Sequence, residues 1–449
     1  MFSPGRAIYW GREKSPLSGF TARRKYQTME ELKKTIGFMT THYDWSRAYS
    51  VTSVIHDQLE MNLKHGYKCV LFVLPSFKDD DKIPKGVEIR KVIPQLILEK
   101  YKSFGQPEEF KDEVKLVVSA LRQFAADIDV MIAHDMHFID TYIPYCGAIH
   151  EICQYDLIKA KWLLWTHSAP SVREPTGIHS FRFNKPRNAK IIYLNNYHAL
   201  ALAEMYGTWL SEVRVVHNVV DPRTFWQLDP FVINLINKYD LLSADYMGIY
   251  PLSSTRMVDG KQVQKAVRVF AKLKARGHKV KYIIANAHAN HEREKKNIQS
   301  LQATFASWGL DPDEVIFTSL EEIPKYEAGV SREIVSQLFL LSNLFVFPTI
   351  SENCSLILLE AMLSKNLLVL NANVPQLREF GGDHSLYMEF GSKDTVVNYT
   401  DEDKYYADWA AIIENQMNIN KPLLGQRELL KNYSLDHIFK HQVEPLYYE

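Results

Sequence analysis

The sequence predicts an α/β fold built from doubly wound parallel sheets, and three observations support this. A chain of 449 residues is long for one domain and natural for two. Residues 344–370 have the pattern of a strand, a loop, a helix and a second strand. The chain opens in the same way from Thr35, with a strand, a helix over Ser50–Lys64 that closes at Gly66, and a strand from Cys69. Each half of the chain is therefore expected to form one such domain.

The pattern over residues 344–370 justifies each of its elements. Leu344 to Phe347 is a continuous apolar run, which is typical of a strand buried on both faces of a parallel sheet. Pro348 ends this strand because proline has no N–H to donate to the ladder. The helix that follows has leucines at three- and four-residue spacing and ends near Asn366, where a second buried run begins.

The same unit carries groups that can bind a ligand. Glu352 lies in the loop after the strand and Glu360 lies on the helix, with seven residues between them. The N-terminus of the helix attracts anions through its free N–H groups and its dipole. Four residues supply that N-terminus: Asn353, Cys354, Ser355 and Leu356. The unit therefore predicts an anion site beside two carboxylates, although surface positions for both carboxylates are the simpler alternative.

Two cations follow an earlier strand of the second half. Met247 to Pro251 is predicted to be a strand, and Arg256 and Lys261 precede a helix predicted over Gln262 to Arg276. The dipole disfavours cations at a helix start. Their position therefore favours a ligand-binding role over that of two surface charges.

Histidines follow two predicted strands of the first half. His134 comes after the strand Ile128 to Ala133, and His167 comes after the strand Trp162 to Trp165. Ligands bind at the carboxyl ends of the strands in open α/β sheets. Both histidines are therefore candidate site residues, and a purely structural role is the alternative for each.

Two loops of the first half carry further candidates. Residues 42–49 follow the first strand, contain Arg47 and Tyr49, and have no glycine. Residues 169–190 contain Arg182 among other cations and aromatic residues. Either loop could contact a second substrate, and a solvated surface is the alternative for the longer one.

Together these motifs resemble the retaining GT-B glycosyltransferases of glycosyltransferase family 4. PTISENCSLILLEAM is similar to the E-x(7)-E element of that family, Arg256 and Lys261 to its R-x(4)-K pair, and Asn218 to Asp221 to its N-x-V-D string. The resemblance is good from Pro251 to Gly382 and loose over the first half, where the usual glycine-rich turn is missing. It implies a GT-B fold, in which two Rossmann-like domains face each other across a cleft.

The resemblance also implies an activity and a set of roles. The chain would transfer a sugar from a nucleotide-sugar to an acceptor hydroxyl, with retention of configuration and without a metal. Glu352 and His134 would be the catalytic residues at the donor sugar, and Glu360 would bind the ribose. The diphosphate would be bound by Arg256, Lys261 and the helix N-terminus (Asn353, Cys354, Ser355 and Leu356), because its growing charge needs fixed cations and N–H donors. Candidate acceptor-side residues are Arg47, Tyr49, His167 and Arg182.

Donor and acceptor identities stay open at this point. We expect no cofactor other than the nucleotide-sugar co-substrate, with UDP-sugars favoured over GDP-sugars, and an acceptor that is a glycan, a small molecule or DNA. The first thirty or so residues are basic with interleaved aromatic residues, which motivates a phage-type transferase that adds a sugar to a modified DNA base. An extension packed on the first domain is the simpler interpretation. A GT-B protein that binds a nucleotide or glycan without turnover is a further alternative.

The predicted organisation has four parts. A basic N-terminal extension covers residues 1–33, a Rossmann-like acceptor domain 34–243, a Rossmann-like nucleotide-sugar domain 244–423, and a C-terminal helix that crosses back to the first domain 424–449. The formal net charge is +0, so no bulk electrostatic argument points to nucleic acid or membrane. The four cysteines lack metal-binding spacing, and no signal peptide or membrane-spanning run is found, which indicates a cytoplasmic protein.

Overall fold

The computed structural model describes residues 33–46, 48–101, 108–170, 177–252, 258–286, 292–321, 329–353 and 355–449. Three predicted site residues, Arg47, Arg256 and Cys354, lie outside these ranges. Residues 1–32, which make up nearly all of the predicted basic extension, also lie outside them. What the sequence suggests for these residues stays a prediction.

The first domain is built on a seven-stranded parallel sheet. Its strands are β1 (Thr35–Met39), β2 (Lys68–Val73), β3 (Glu88–Lys91), β4 (Val130–His134), β5 (Lys161–Trp165), β6 (Ala189–Tyr193) and β7 (Val213–Val215). They lie in the order β3-β2-β1-β4-β5-β6-β7, and every neighbouring pair is parallel. The first six strands follow the order of a doubly wound nucleotide-binding domain.

Alternating side chains divide the two faces of this sheet, as the period of a strand requires. Ile36 and Phe38 belong to one buried cluster, which includes α1 (Ser50–Lys64). Met39 and Phe72 belong to the other. Three helices cover this second face: α2 (Phe110–Phe124), α3 (Ile143–Gln154) and α4 (Ala199–Met205). Both faces are therefore apolar, which explains the continuous hydrophobic runs in the sequence.

Two short helices connect the domains. They are α5 (Pro222–Phe225) and α6 (Pro230–Tyr239). Each helix is capped by an aspartate, Asp221 or Asp229, whose carboxylate accepts a hydrogen bond from the backbone N–H two residues later. Each helix also has proline at its first position. Asp221 therefore caps α5, and its carboxylate also accepts from the Arg223 side chain.

Within the described ranges, the second domain contains six parallel strands. They are β8 (Tyr246–Leu252), β9 (Val280–Asn286), β10 (Val315–Phe317), β11 (Leu344–Phe347), β12 (Leu367–Asn371) and β13 (Ser385–Met388). The described helices between these strands are α7 (Val258–Lys261) and α8 (Val263–Ala275), both between β8 and β9, followed by one in each later gap: α9 (Glu292–Ser307), α10 (Arg332–Leu341), α11 (Leu356–Leu363) and α12 (Gln376–Gly381). The strands form two ladders, β10-β9-β8 and β11-β12-β13.

The two ladders of the second domain lie edge to edge. The backbone N–H of Asn343 donates to the carbonyl of Met247 at 3.0 Å, so β11 begins beside the start of β8. Gly248 permits this approach, because a Cβ there would lie 2.5 Å from the Phe270 ring and 3.0 Å from the carbonyl oxygen of Leu344. The combined order, β10-β9-β8-β11-β12-β13, is again that of a doubly wound domain. The predicted fold class, α/β with two Rossmann-like domains, is confirmed.

The C-terminal helices return the chain to the first domain. Helix α13 (Glu402–Ile419) and helix α14 (Lys421–Asn432) pack in the core of the second domain, whereas α15 (Leu435–Ile438) and α16 (Glu444–Tyr448) pack beside α1 in the first. The crossing therefore lies near Ser434 rather than near residue 424. Buried Arg427 explains the difference, since it donates to the backbone carbonyls of Ala244 and Leu341 and holds α14 in the second domain. Across the described ranges, no helix combines the length and the apolar character needed to cross a bilayer.

Candidate active site

Helix α7, which follows β8 in the chain, and the loop after β11 bring a cation and a carboxylate together. The Nζ of Lys261 lies 3.0 Å from Oε2 of Glu352, and both side chains are about four-fifths buried, with exposed fractions of 22% and 19%. The backbone N–H of Ile350 donates to the carbonyl of Gly260 at 3.0 Å, which ties the loop after β11 to helix α7. Lys261, predicted to bind the diphosphate, and Glu352, predicted to bind the donor sugar, are thus in direct contact.

The position of Lys261 corrects one prediction. Lys261 is the last residue of α7, and α8 begins at Val263 rather than at Gln262. Gln262 separates the two helices because it has a left-handed backbone conformation, with φ of 48°, and its side-chain amide donates to the carbonyl of Pro348 at 2.7 Å. Lys261 still lies two residues before α8, as the sequence predicted to within one residue, and its contact with Glu352 is the stronger observation for a functional role.

The N-terminus of α11 lies next to this pair. Ser355 is buried and caps the helix, since its hydroxyl accepts from the backbone N–H of Leu358 at 3.3 Å. The N–H of Asn353 donates to Glu352 Oε1 at 3.3 Å, and the side chain of Leu356 is exposed. Helix geometry leaves the first-turn N–H groups of Leu356 and Ile357 without carbonyl partners within the helix. These N–H groups, rather than the Ser355 hydroxyl, can bind an anion.

Glu360 lies on α11 and is held by a residue of another helix. Its Oε1 accepts from Nε of Arg332 at 2.6 Å, at the start of α10. The carboxylate is 14% exposed, whereas the arginine side chain is 69% exposed. Arg332 therefore fixes the orientation of Glu360 and leaves its second oxygen for another partner.

The carboxyl edge of the first sheet carries a pair of histidines. Nδ1 of His134, at the end of β4, lies 2.9 Å from Nε2 of His167, which follows β5. Burial, with His167 and His42 nearby, lowers the pKa of His134 well below its usual value. Burial and His42 lower the pKa of His167 to about 4. Both rings are therefore neutral at pH 7 and share one hydrogen bond.

One nitrogen of this pair has no partner. The Nε2 of His134 is buried and makes no hydrogen bond to any described residue. In either tautomer of His134, Nε2 is an N–H donor or a lone-pair acceptor that needs a hydrogen-bond partner. A buried polar atom without a partner is costly. Less than 1 Å² of this nitrogen is accessible, so a ligand hydroxyl would satisfy it only after the covering side chains move.

Asp135 follows His134 and lies at the same edge. It has φ of 54°, and its carboxylate accepts from the backbone N–H of His167 at 2.8 Å. Burial raises the pKa of Asp135 to about 6, although the bond from His167 opposes this shift. A carboxylate with a raised pKa that is held in a left-handed backbone conformation is typical of functional sites.

We expect Asp135→Asn to stabilise the protein. The pKa of Asp135 rises from 3.8 in the unfolded chain to about 6 in the folded protein. Between these pH values the folded protein therefore binds a proton that the unfolded chain releases. The wild type therefore loses stability as the pH rises between these values, and an amide does not. Denaturant unfolding should show a gain of about 1–3 kcal/mol at pH 7.5 that disappears near pH 4. An equal effect at both pH values would contradict the raised pKa.

The two remaining acceptor-side candidates in the described ranges, Tyr49 and Arg182, have different surroundings. Tyr49 is half exposed, and its ring contacts that of His42 edge-on at a centroid distance of 5.2 Å. Arg182 is buried, donates to the carbonyl of Phe138 at 2.6 Å and forms an ion pair with Asp140. Tyr49 can therefore meet a ligand beside His42, whereas Arg182 secures a loop of the first domain.

Sequence reasoning missed three residues of these sites: His42, Asp135 and Arg332. The first two follow strand ends, and the rule that selected His134 could have found them. Arg332 carries no local signal, because it reaches Glu360 only through the packing of α10 on α11. Within the described ranges, no three histidine, cysteine, aspartate or glutamate side chains are grouped as metal ligands.

Comparisons with known proteins give structural neighbours of low similarity. No protein-family model matches the chain, and the search of curated proteins gave no match. A glycosyltransferase from Rickettsia africae ESF-5 is 14% identical, with 92% of this chain and 98% of that chain covered and a TM-score of 0.36. Anabaena Alr3699/HepE in complex with UDP and glucose is 14% identical, with 93% and 100% covered and a TM-score of 0.33. TM-scores of this size do not establish a relationship, so we base the assignment of function on the residues of this chain.

Proposed function

We propose that this chain is a GT-B glycosyltransferase that transfers a sugar from a nucleotide-sugar to an acceptor hydroxyl. The contact between Lys261 and Glu352 carries the proposal. A cation suited to the diphosphate and a carboxylate suited to the sugar lie 3.0 Å apart at the carboxyl edge of a doubly wound sheet. The first turn of α11 begins at Leu356, four residues after Glu352, and adds N–H donors to the same place.

The proposed reaction assigns a step to each group. As the bond between the anomeric carbon and the diphosphate breaks, negative charge grows on the leaving oxygen and positive charge grows on the sugar ring. Lys261, Arg256 and the α11 N–H groups stabilise the leaving group, and Glu352 stabilises the ring. Glu360 binds the ribose through the oxygen that Arg332 leaves free. The acceptor hydroxyl bonds to the anomeric carbon and gives its proton to the departing diphosphate oxygen, which gains negative charge as its own bond to that carbon breaks.

The first domain supplies the other side of the proposed site. His134 contacts a sugar hydroxyl through Nε2, and its bond to His167 holds the ring in place. Tyr49 and His167 contact the acceptor, with Asp135 beside them. A glycan or a small molecule fits this proposal, whereas the DNA acceptor depends on residues 1–32, outside the described ranges. For the donor we propose a UDP-sugar in preference to a GDP-sugar, and its sugar is either a hexose or a pentose.

Retention of configuration and independence of metals belong to the same proposal. Fixed cations and N–H donors offset the diphosphate charge, so activity should survive EDTA. Product sugar released early in the reaction should have the anomeric configuration of the donor when observed by proton NMR. The opposite anomer would overturn retention, and full loss of activity in EDTA with recovery on adding Mg²⁺ would overturn the metal-independent mechanism.

We expect Glu360→Ala to raise the donor KM with little change in kcat. The ribose is distant from the bond that breaks and is bound alike in the ground and transition states. Losing one hydrogen bond to a charged group should raise KM about 10-fold or more. Arg332→Ala is the control and should have a smaller effect, since this exposed arginine only orients Glu360. A collapsed kcat with an unchanged donor KM would contradict the ribose role.

A further inference from the structure

A cavity of about 780 Å³ lies at the junction of the two domains. Asp240 at the end of α6, Lys279 before β9, and Lys431 near the end of α14 line one side. Lys440 and neighbouring residues at the end of α15 and after it also line the cavity. Its volume is within the range of small-molecule sites, which is about 300–1,000 Å³.

This cavity is separate from the candidate active site. Lys279 directly precedes β9, and Ser243, another lining residue, lies three residues before β8. These are the amino ends of the strands. Lys261 and Glu352 follow the carboxyl ends of β8 and β11, at the opposite edge of the same sheet. The cavity therefore cannot be part of the donor site.

The lining has an excess of positive charge. It contains four lysines and two aspartates. Lys64 forms an ion pair with Asp436 at 2.7 Å, and Lys431 forms one with Asp245, which lies outside the lining. The ammonium groups of Lys279 and Lys440 have no carboxylate within 4.0 Å among the described residues. Lys279 and Lys440 are therefore two exposed cations that border the cavity. The one unpaired carboxylate of the lining, Asp240, does not balance their charge.

Two histidines border the same space. His437 and His441 are four residues apart, and their ring centroids lie 4.5 Å from each other. Burial and the proximity of His441 lower the pKa of His437. A neutral imidazole offers one N–H donor and one acceptor. The His437 ring can therefore bind the uncharged part of a ligand whose anionic part contacts the lysines.

We propose that this cavity binds a phosphate ester through Lys279 and Lys440. Phosphate oxygens accept strong, charge-assisted hydrogen bonds from ammonium groups. Lys64 belongs to α1 of the first domain and Lys279 belongs to the second, so the bound ester lies between the domains. The proposal does not depend on the glycosyltransferase assignment.

Calorimetry with inorganic pyrophosphate tests this site. Lys261→Ala serves as the parent protein, so that binding at the proposed donor site is weakened. We expect Lys279→Ala/Lys440→Ala in that background to weaken pyrophosphate binding about 10-fold or more. Lys111→Ala/Lys159→Ala is the matched control, because both lysines are exposed, lie outside the cavity lining and form no ion pair among the described residues, and it should bind like the parent.

A second measurement identifies the source of the phosphate ester. Co-sedimentation with phosphatidylcholine vesicles, with and without phosphatidic acid, tests a lipid headgroup. Loss of pyrophosphate binding in the double variant supports a soluble ester, and loss of vesicle binding in that variant supports a lipid headgroup. The site is overturned if the double variant weakens the binding of neither probe, and it is also overturned if the parent binds neither probe.

Discussion

Glu352→Gln is expected to lower kcat by about 10²-fold or more, as is usual when one electrostatic stabiliser of a transition state is lost. Glutamine keeps the shape of the side chain and removes the negative charge that supports the sugar ring as the bond breaks. The affinity for the nucleotide product should not fall, because Lys261 loses its partner at 3.0 Å and becomes free for the diphosphate. Steady-state kinetics with the donor varied, together with calorimetry of the nucleotide product, measure both effects.

Glu428→Gln is a matched control for this prediction. Glu428 is exposed on α14 and hydrogen-bonds Asn432 within the same helix. Its substitution should leave kcat and nucleotide affinity at the wild-type values. A Glu352→Gln enzyme with the wild-type kcat would remove Glu352 from the proposed mechanism, whatever its nucleotide affinity.

Lys261→Ala should weaken binding of a nucleoside diphosphate by about 1.5–3 kcal/mol, the range for hydrogen bonds to charged groups. The variant loses the cation and also leaves the Glu352 carboxylate without a partner, close to the incoming phosphates. The free nucleoside carries no phosphate, so its affinity should hardly change. Calorimetry with UDP, GDP, uridine and guanosine separates the contribution of the diphosphate to binding from that of the nucleoside.

Lys159→Ala is the control for the lysine substitution. Lys159 is exposed in the first domain and has no ion pair among the described residues, so its loss should not affect the affinity for UDP or GDP. If Lys261→Ala bound both diphosphates like the wild type, the diphosphate site would have to be elsewhere. If it lost nucleoside affinity equally, the lysine would act through the fold of the loop rather than through the phosphates.

The sequence predicted the strands and the edge at which the site lies because both depend on short-range patterns. Apolar runs such as Leu344 to Phe347 identify buried parallel strands, and the carboxyl ends of such strands lie at one edge of a sheet. Glu352 and His134 were selected in this way. The structure places each of them beside a second predicted residue, Lys261 and His167.

The features that the sequence did not reveal depend on contacts between distant residues. Arg332 reaches Glu360 through helix packing, and Arg182 was expected at the acceptor but is buried against Phe138 and Asp140. The break at Gln262 requires a left-handed glutamine, which local propensity disfavours. The crossing to the first domain depends on which core receives α14, and the carbonyl contacts of Arg427 decide it.

A screen of nucleotide-sugar hydrolysis tests the central claim most directly. Slow transfer to water reveals the donor without knowledge of the acceptor, so purified protein is incubated with a panel of UDP- and GDP-sugars and nucleotide release is followed. We predict that at least one donor is hydrolysed by the wild type and by Glu428→Gln, and that Glu352→Gln abolishes nearly all of this release. Hydrolysis of no donor, or equal hydrolysis by Glu352→Gln, would contradict a glycosyltransferase site built around Lys261 and Glu352.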